Sequence, residues 1–202
     1  MKTTSRTRTR RIAALGVFTA LSVMLVALIH FPIFPAVSFL EYDPADIPIL
    51  IVGFAFGPVA GLVVTLVAAL IQGFTVSAAS GVYGVIMHVL ATGVYVLVSS
   101  LVYRRHHTRG GAAAALALGT AAMVAMMFFA NLLVTTYFMM GAVNGDTIRA
   151  LMGFMPFILL FNLIKAGVNG AVTFLIYKSI SRLINRLGAA DAGAAKPKPL
   201  EG

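Results

Sequence analysis

Three polar side chains interrupt an apolar run that is otherwise long enough to cross a bilayer. Asn162, Lys165 and Asn169 fall between Met155 and Tyr177 at i, i+3 and i+7, a spacing that puts all three on one face of a helix. An ionisable group at that depth costs about 2.5–3.5 kcal/mol even on the mildest scale, and such groups face a bundle interior or a cavity. An ammonium between two carboxamides supplies charge, donors and acceptors but no nucleophile with an adjacent base. That is the chemistry of holding a small polar solute.

The medium around this face follows from composition. Of 202 residues 60% are hydrophobic and only 10% charged, with mean hydropathy +0.97, whereas a soluble domain is nearer half apolar and a quarter charged. The chain therefore reads as an all-α integral membrane protein. Its formal charge of +9 would suit nucleic acid, but the charges stand at the ends of apolar spans, so no nucleic-acid partner is expected. The absence of cysteine excludes disulfides, thiolate metal sites and cysteine nucleophiles. There is no Trp, so interfacial anchoring falls to Tyr, Lys and Arg. The basic run Arg6 to Arg11 precedes an apolar segment, Ile12 to Ile29, too long for a usual signal-peptide core. Phe31-Pro32-Ile33-Phe34-Pro35 follows it in place of a small-x-small cleavage site, so this segment is read as a retained first span.

Three regions are expected: a basic cytoplasmic arm over 1–11, a six-helix membrane domain over 12–187, and a flexible cytoplasmic tail over 188–202. Apolar runs and Gly/Pro punctuation set the helices at Ile12–His30, Ile47–Phe56, Val59–Phe74, Val82–Tyr103, Ala112–Met140 and Met155–Arg182. Backbone groups in lipid must pair internally, so the fold class is a six-transmembrane-helix bundle. Helices 1, 4, 5 and 6 meet the ~20 residues needed to cross; helices 2 and 3 are shorter and must tilt or be sheltered. No internal repeat of fixed period is visible. All but Arg149 and Lys165 of the 15 lysines and arginines fall on the side of both termini, and four of the six acids, Glu41, Asp43, Asp46 and Asp146, fall opposite. Both termini are thus expected in the cytoplasm of a cell-membrane protein.

At ~1.5 Å of rise per residue, Gln72, His88, Asn131, Asn162 and Lys165 reach a shared level in the outer half, beneath the acidic loop from Phe31 to Asp46. Such a level suits a pocket with apolar walls and a few polar anchors. Each residue also has a plainer reading. Asn131 or Asn169 can be an interhelical hydrogen bond, and His88 and Gln72 can be structural or interfacial. The Met and Phe run from Met123 to Phe129 suits core packing or a flat aromatic ligand. A catalytic reading finds no acid inside any span and no metal-ligand spacing there, since the only close His pair, His106-His107, lies in a link. A solitary proton-coupled carrier would want intramembrane acids. Ala13, Gly16 and Ala20 put small residues along helix 1, a face for close approach within the fold or by another protein.

Several stretches together resemble a known family. These are Ile12 to Leu21 after the basic arm, Tyr42-Asp43-Pro44-Ala45-Asp46-Ile47-Pro48, Phe56-Gly57-Pro58-Val59-Ala60-Gly61, Ser80-Gly81-Val82-Tyr83-Gly84, and Pro156-Phe157 with Phe161-Asn162-Leu163-Ile164-Lys165. They resemble the S component of an energy-coupling factor (ECF) vitamin transporter, most closely its riboflavin-specific type. The resemblance implies a non-catalytic six-helix subunit that binds a vitamin from outside and needs no cofactor. Delivery would run through a transmembrane coupling protein driven by two ABC ATPases, in keeping with the lack of a G-x-x-x-x-G-K phosphate cradle here. It also implies docking of that partner on Ala13, Gly16 and Ala20, and a lid made of the Phe31–Asp46 loop. Asn162 and Lys165 carry over best as substrate contacts, with Asn131, Asn169, His88, Gln72, Tyr42 and Asp43 as further candidates. Val85 and His88 stand where the family pattern has acidic or amide residues, which leaves another vitamin (pantothenate, folate, thiamine or biotin) as the alternative ligand.

Overall fold

Glycine and proline cut the apolar sequence into helices. The computed structural model describes residues 5–194, with side chains over 8–177 except Ala36. Helix α1 covers Ser5–Leu28. A short hairpin follows, β1 (Phe31–Pro32) pairing antiparallel with β2 (Glu41–Tyr42) around a 3₁₀ turn at Pro35–Val37. Helices α2 (Asp46–Phe56) and α3 (Pro58–Phe74) are split by Gly57, whose φ of 93° suits only glycine, with Pro58 fixing the first turn of α3. Then come α4 (Gly81–Arg105) and α5 (Arg109–Ala130), which continues through a π turn, Asn131–Thr135, into α6 (Thr136–Met140). Helix α7 runs Gly145–Ala194.

Among the described residues four stretches are long and apolar enough to cross a membrane, Arg8–Leu28, Ala78–Arg105, Arg109–Met140 and Gly145–Tyr177. The two expected short helices are apolar but shorter, and α2 is sheltered. Every residue from Asp46 to Phe54 is buried, so α2 threads between α3, α4 and α7 and carries Asp46 into the interior. Around it Val17, Val59, Phe74, Leu133 and Leu175 are more than half exposed, an apolar outside suited to lipid.

The centre is organised by Tyr95, fully buried on α4. Its hydroxyl donates to the Ala166 carbonyl at 2.8 Å and accepts from Thr120 at 3.4 Å, linking α4 to α7 and α5. Gly119 and Gly170 make room for it, since a Cβ at either would collide with the Tyr95 side chain. At the opposite end of α2 from Asp46, Phe54, Tyr103 and Tyr177 form a ring cluster with centroids 4.5–5.5 Å apart.

Several boundaries differ from expectation. The arm is helical from Ser5, because nothing in the Arg/Thr run stops α1 from extending backwards; residues 1–4 lie outside the described residues. Helix α5 starts at Arg109, where Thr108 Oγ1 accepts from the Gly111 N–H and caps the first turn. The loop expected over Gly141–Gly153 is short, and α7 begins at Gly145. Asn144 Oδ1 accepts from the Asp146 and Thr147 N–H groups, an N-cap stronger than the breaking signals of Gly153 and Pro156. Pro156 then lies inside the helix. The last helix also passes Arg182 to reach Ala194, into the stretch expected as tail, and residues 195–202 lie outside the described residues.

Candidate functional site

The Asn162–Lys165–Asn169 face of α7 meets the loop between α1 and α2. Lys165 Nζ donates to Asp43 Oδ2 at 2.6 Å, with both residues 8% exposed. Asn169 Nδ2 donates to the Asp43 carbonyl at 3.0 Å and to Asp46 Oδ2 at 2.9 Å, while its Oδ1 accepts from the Tyr42 hydroxyl at 3.0 Å. Asp46 Oδ1 accepts from Thr92 on α4 at 2.6 Å. Ser22 on α1 donates to the Ala45 carbonyl at 3.0 Å. The loop is therefore bonded to α1 and α7, and Asp46 just after it to α4 and α7.

Its electrostatics are local. Burial alone would raise the Asp43 carboxyl; the Lys165 ammonium, with hydrogen bonds from Nζ and the Ala45 N–H, holds it below the usual carboxylate range. Burial and then the Asp43 charge push the Tyr42 phenol up, so it stays a neutral donor to Asn169. At the far end of the loop Val37 is fully buried in a second apolar cluster with Leu151, Met155 and Ile158. The loop is held by an ion pair at one side and an apolar peg at the other.

Beneath it lies a cavity of about 140 Å³. Phe39, Leu40, Glu41 and Asp43 of the loop cover it; Gln72 of α3, Tyr83, His88 and Thr92 of α4, Met123 and Met127 of α5, and Phe161, Asn162 and Lys165 of α7 line it. Asn162 Nδ2 is bonded to the Ile158 carbonyl at 2.8 Å, and its Oδ1 has no protein partner. Gln72 Nε2 and His88 Nε2 are buried without any hydrogen-bond partner. Among the described residues no group of three or more His, Asp or Glu is placed to hold a metal.

Of the residues singled out from sequence, Lys165, Asn162, His88, Gln72 and Asp43 come together on this cavity. Tyr42 and Asn169 tie the loop down without lining it. Asn131 also does not line it: its Nδ2 bonds the Met127 carbonyl and its Oδ1 accepts from Thr135, both at 2.8 Å within its own helix. Through the 3.0 Å contact of Thr135 with the Tyr83 hydroxyl it sits one step behind the wall. Ala13, Gly16 and Ala20 are exposed on α1, and a Cβ at Gly16 would meet nothing within 4 Å. Sequence reasoning missed the Asp43–Lys165 and Asp46–Thr92 pairs. The signal was present: a buried lysine needs a counter-charge, and the loops at that end of the bundle carry only four acids, Glu41, Asp43, Asp46 and Asp146.

Comparison with known proteins adds three findings. The sequence model of the family described as ECF transporter, substrate-specific component, matches residues 10–177. Riboflavin transporter RibU of Staphylococcus aureus (strain TCH60) is 27% identical over 184 residues, 88% of this chain and 94% of that protein. A solved structure, reported as the structure and mechanism of the S component of a bacterial ECF transporter, shares the fold with TM-score 0.71 and 24% identity. That match covers 88% of this chain and 98% of the other.

Proposed function

This chain belongs to the family of ECF transporter substrate-specific components, and on that premise we propose that it captures riboflavin or a closely related flavin outside the cell. In this reading the chain crosses the plasma membrane six times with both termini cytoplasmic, which agrees with the charge asymmetry. It hands its ligand inward through a transmembrane coupling protein driven by two ABC ATPases and performs no chemistry itself.

The observation that carries the reading is the cavity under the Asp43–Lys165 pair. Met123, Met127 and Phe161 give it soft, flat walls suited to a tricyclic ring. Asn162 Oδ1 and the Lys165 ammonium suit a ring edge that both donates and accepts, and ribityl hydroxyls can use either. The 27% identical riboflavin transporter supports a flavin over other vitamins. The bare small-residue strip at Ala13, Gly16 and Ala20 suits a partner helix approaching α1.

The test is titration of purified protein with riboflavin, read by quenching of flavin fluorescence. Saturable quenching at nanomolar to micromolar concentration, weakened by Lys165→Ala, is expected. Saturable binding of a different vitamin with no response to riboflavin would move the chain elsewhere in the family.

A further inference from the structure

A second cavity, of about 300 Å³, lies at the end of the bundle away from the α1–α2 loop. It opens between the link joining α4 to α5 and the stretch of α7 around Leu175. Its lining takes Tyr103 from α4, His107 from the link, Arg109 from the start of α5, and Phe174, Leu175 and Tyr177 from α7. It is more than twice the size of the cavity beneath the loop and reaches the lower bound of small-molecule sites, about 300 Å³. The solute reading makes no use of it.

Its lining is divided by polarity. Tyr103 is buried, with its ring centroid 4.5 Å from Phe54 and 5.1 Å from His107. His107 and Arg109 are exposed. Leu175 is 74% exposed, so the cavity is continuous with apolar helix surface of the kind that lipid covers. Arg104 and Arg105 stand close by in the chain, and the acids whose side chains are described, Glu41, Asp43, Asp46 and Asp146, all belong to the other end. Among the described side chains this rim is therefore positive and carries no acid to neutralise it. Helix α4 ends at Arg105 and α5 begins at Arg109, each within a stretch long enough to cross. The rim thus falls at the membrane–water boundary, where lipid phosphates lie.

Each feature narrows the occupant. A guanidinium fork and an imidazole N–H suit phosphate oxygens. A free anion would leave the apolar wall of α7 unused. A choline or ethanolamine nitrogen would bring a further cation to a rim that already holds arginines alone. We propose that this cavity binds one anionic phospholipid, with its phosphate on Arg109 and His107 and an acyl chain against Phe174 and Leu175. Bound there, the lipid ties the start of α5 to α7 and stabilises the folded chain by mass action. The site is independent of which solute the other cavity holds.

The experiment uses the full chain, delipidated in detergent, as wild type, R109Q and R104Q. Dioleoyl phosphatidylglycerol, dioleoyl phosphatidylcholine, glycerophosphoglycerol and inorganic phosphate are titrated separately. Native mass spectrometry counts bound molecules, and a thermal melt reads stabilisation. Wild type should bind one phosphatidylglycerol saturably, at least about tenfold more tightly than phosphatidylcholine, because only the former is anionic. R109Q should weaken that binding by about tenfold or more, the loss of a charge-assisted bond to phosphate. R104Q removes the same charge from a residue that does not line the cavity and should bind within about twofold of wild type. Equal losses in R104Q and R109Q would reduce the effect to general charge attraction and overturn the site. Equal binding of the two lipids would overturn it as well, and that comparison needs no variant. Stabilisation by glycerophosphoglycerol or inorganic phosphate as strong as that by the lipid would make the ligand a free anion and refute the lipid assignment. No saturable lipid binding would also refute it, and if R109Q then fails in uptake by cells the cavity belongs to a protein partner.

Discussion

Replacing Lys165 with methionine keeps the unbranched apolar stem and deletes only the ammonium. Asp43 Oδ2 then loses its partner at 2.6 Å and the carboxylate keeps only the Ala45 N–H, at 3.0 Å. Breaking a buried ion pair from one side costs about 3–5 kcal/mol, because the remaining charge stays desolvated. The fold has a cheap way out. Asp43 sits on a loop pinned at its other end by Val37, with Phe34 and Leu40 packed on the same cluster. Lifting the loop gives up these contacts and the Asn169, Tyr42 and Ser22 bonds, but it rehydrates the carboxylate without unfolding the helices, so the penalty should appear as loop opening rather than global unfolding. At ~1.4 kcal/mol per decade the open fraction should rise by about 10² to 5 × 10³. Hydrogen exchange of amides 38–45, read by mass spectrometry, measures this directly. Lys165→Met should lose protection there by that factor while α4 and α5 exchange as before, and Asp43→Asn/Lys165→Met should regain most of it. Wild-type exchange in the single variant, or equal exchange in single and double variants, would refute the claim that this ion pair holds the loop down.

Four other outcomes follow from the same contacts. Thr92→Val takes the donor from Asp46 Oδ1 and should cost about 1–3 kcal/mol, a melting drop of roughly 2–12 °C in a chain of this size; Thr92→Ser should restore it. Gly119→Ala should destabilise by about 1–3 kcal/mol through overpacking against Tyr95 and Ser99, whereas Gly153→Ala, where a Cβ meets nothing, should be neutral or slightly stabilising in a thermal melt. On the proposed reading, Gly16→Leu should leave melting temperature and ligand affinity of the purified chain unchanged yet abolish uptake by cells, because a Cβ there meets nothing within 4 Å of this chain. Loop protection, corrected for intrinsic exchange, should also depend on pH in one direction. The Asp43 carboxyl is held below its usual value near ~3.9, so its contribution is complete above about pH 4 and is lost as pH falls through the lower folded value. Loss of protection beginning above pH 5 would contradict it.

What the sequence made legible was axial position. The i, i+3, i+7 spacing of Asn162, Lys165 and Asn169 survives folding because the helical period and the cost of a buried charge both act locally. Depth along each helix likewise brought Gln72, His88, Asn162 and Lys165 to one cavity. The same argument grouped Asn131 with them, and there it fell short, because depth says nothing about azimuth. Asn131 turns into its own π turn and is satisfied by Met127 and Thr135. Azimuth is decided by what the neighbouring helices present, and those lie far away in the chain: Asp43 and Lys165 are 122 residues apart. Helix starts were misjudged for a related reason. The last helix is expected from Met155, but a helix begins where its first N–H groups are satisfied, and Asn144 does that for a helix starting at Gly145, ten residues earlier. The pairing of Asp43 with Lys165 was nevertheless constrained by charge alone. A lysine buried in the half of the bundle beneath the α1–α2 loop must meet an acid from that end, and Asp146 is taken by the exposed pair with Arg149. That leaves Glu41, Asp43 and Asp46, all within six residues of one another, so the cation on α7 could be neutralised only by folding this loop over the cavity.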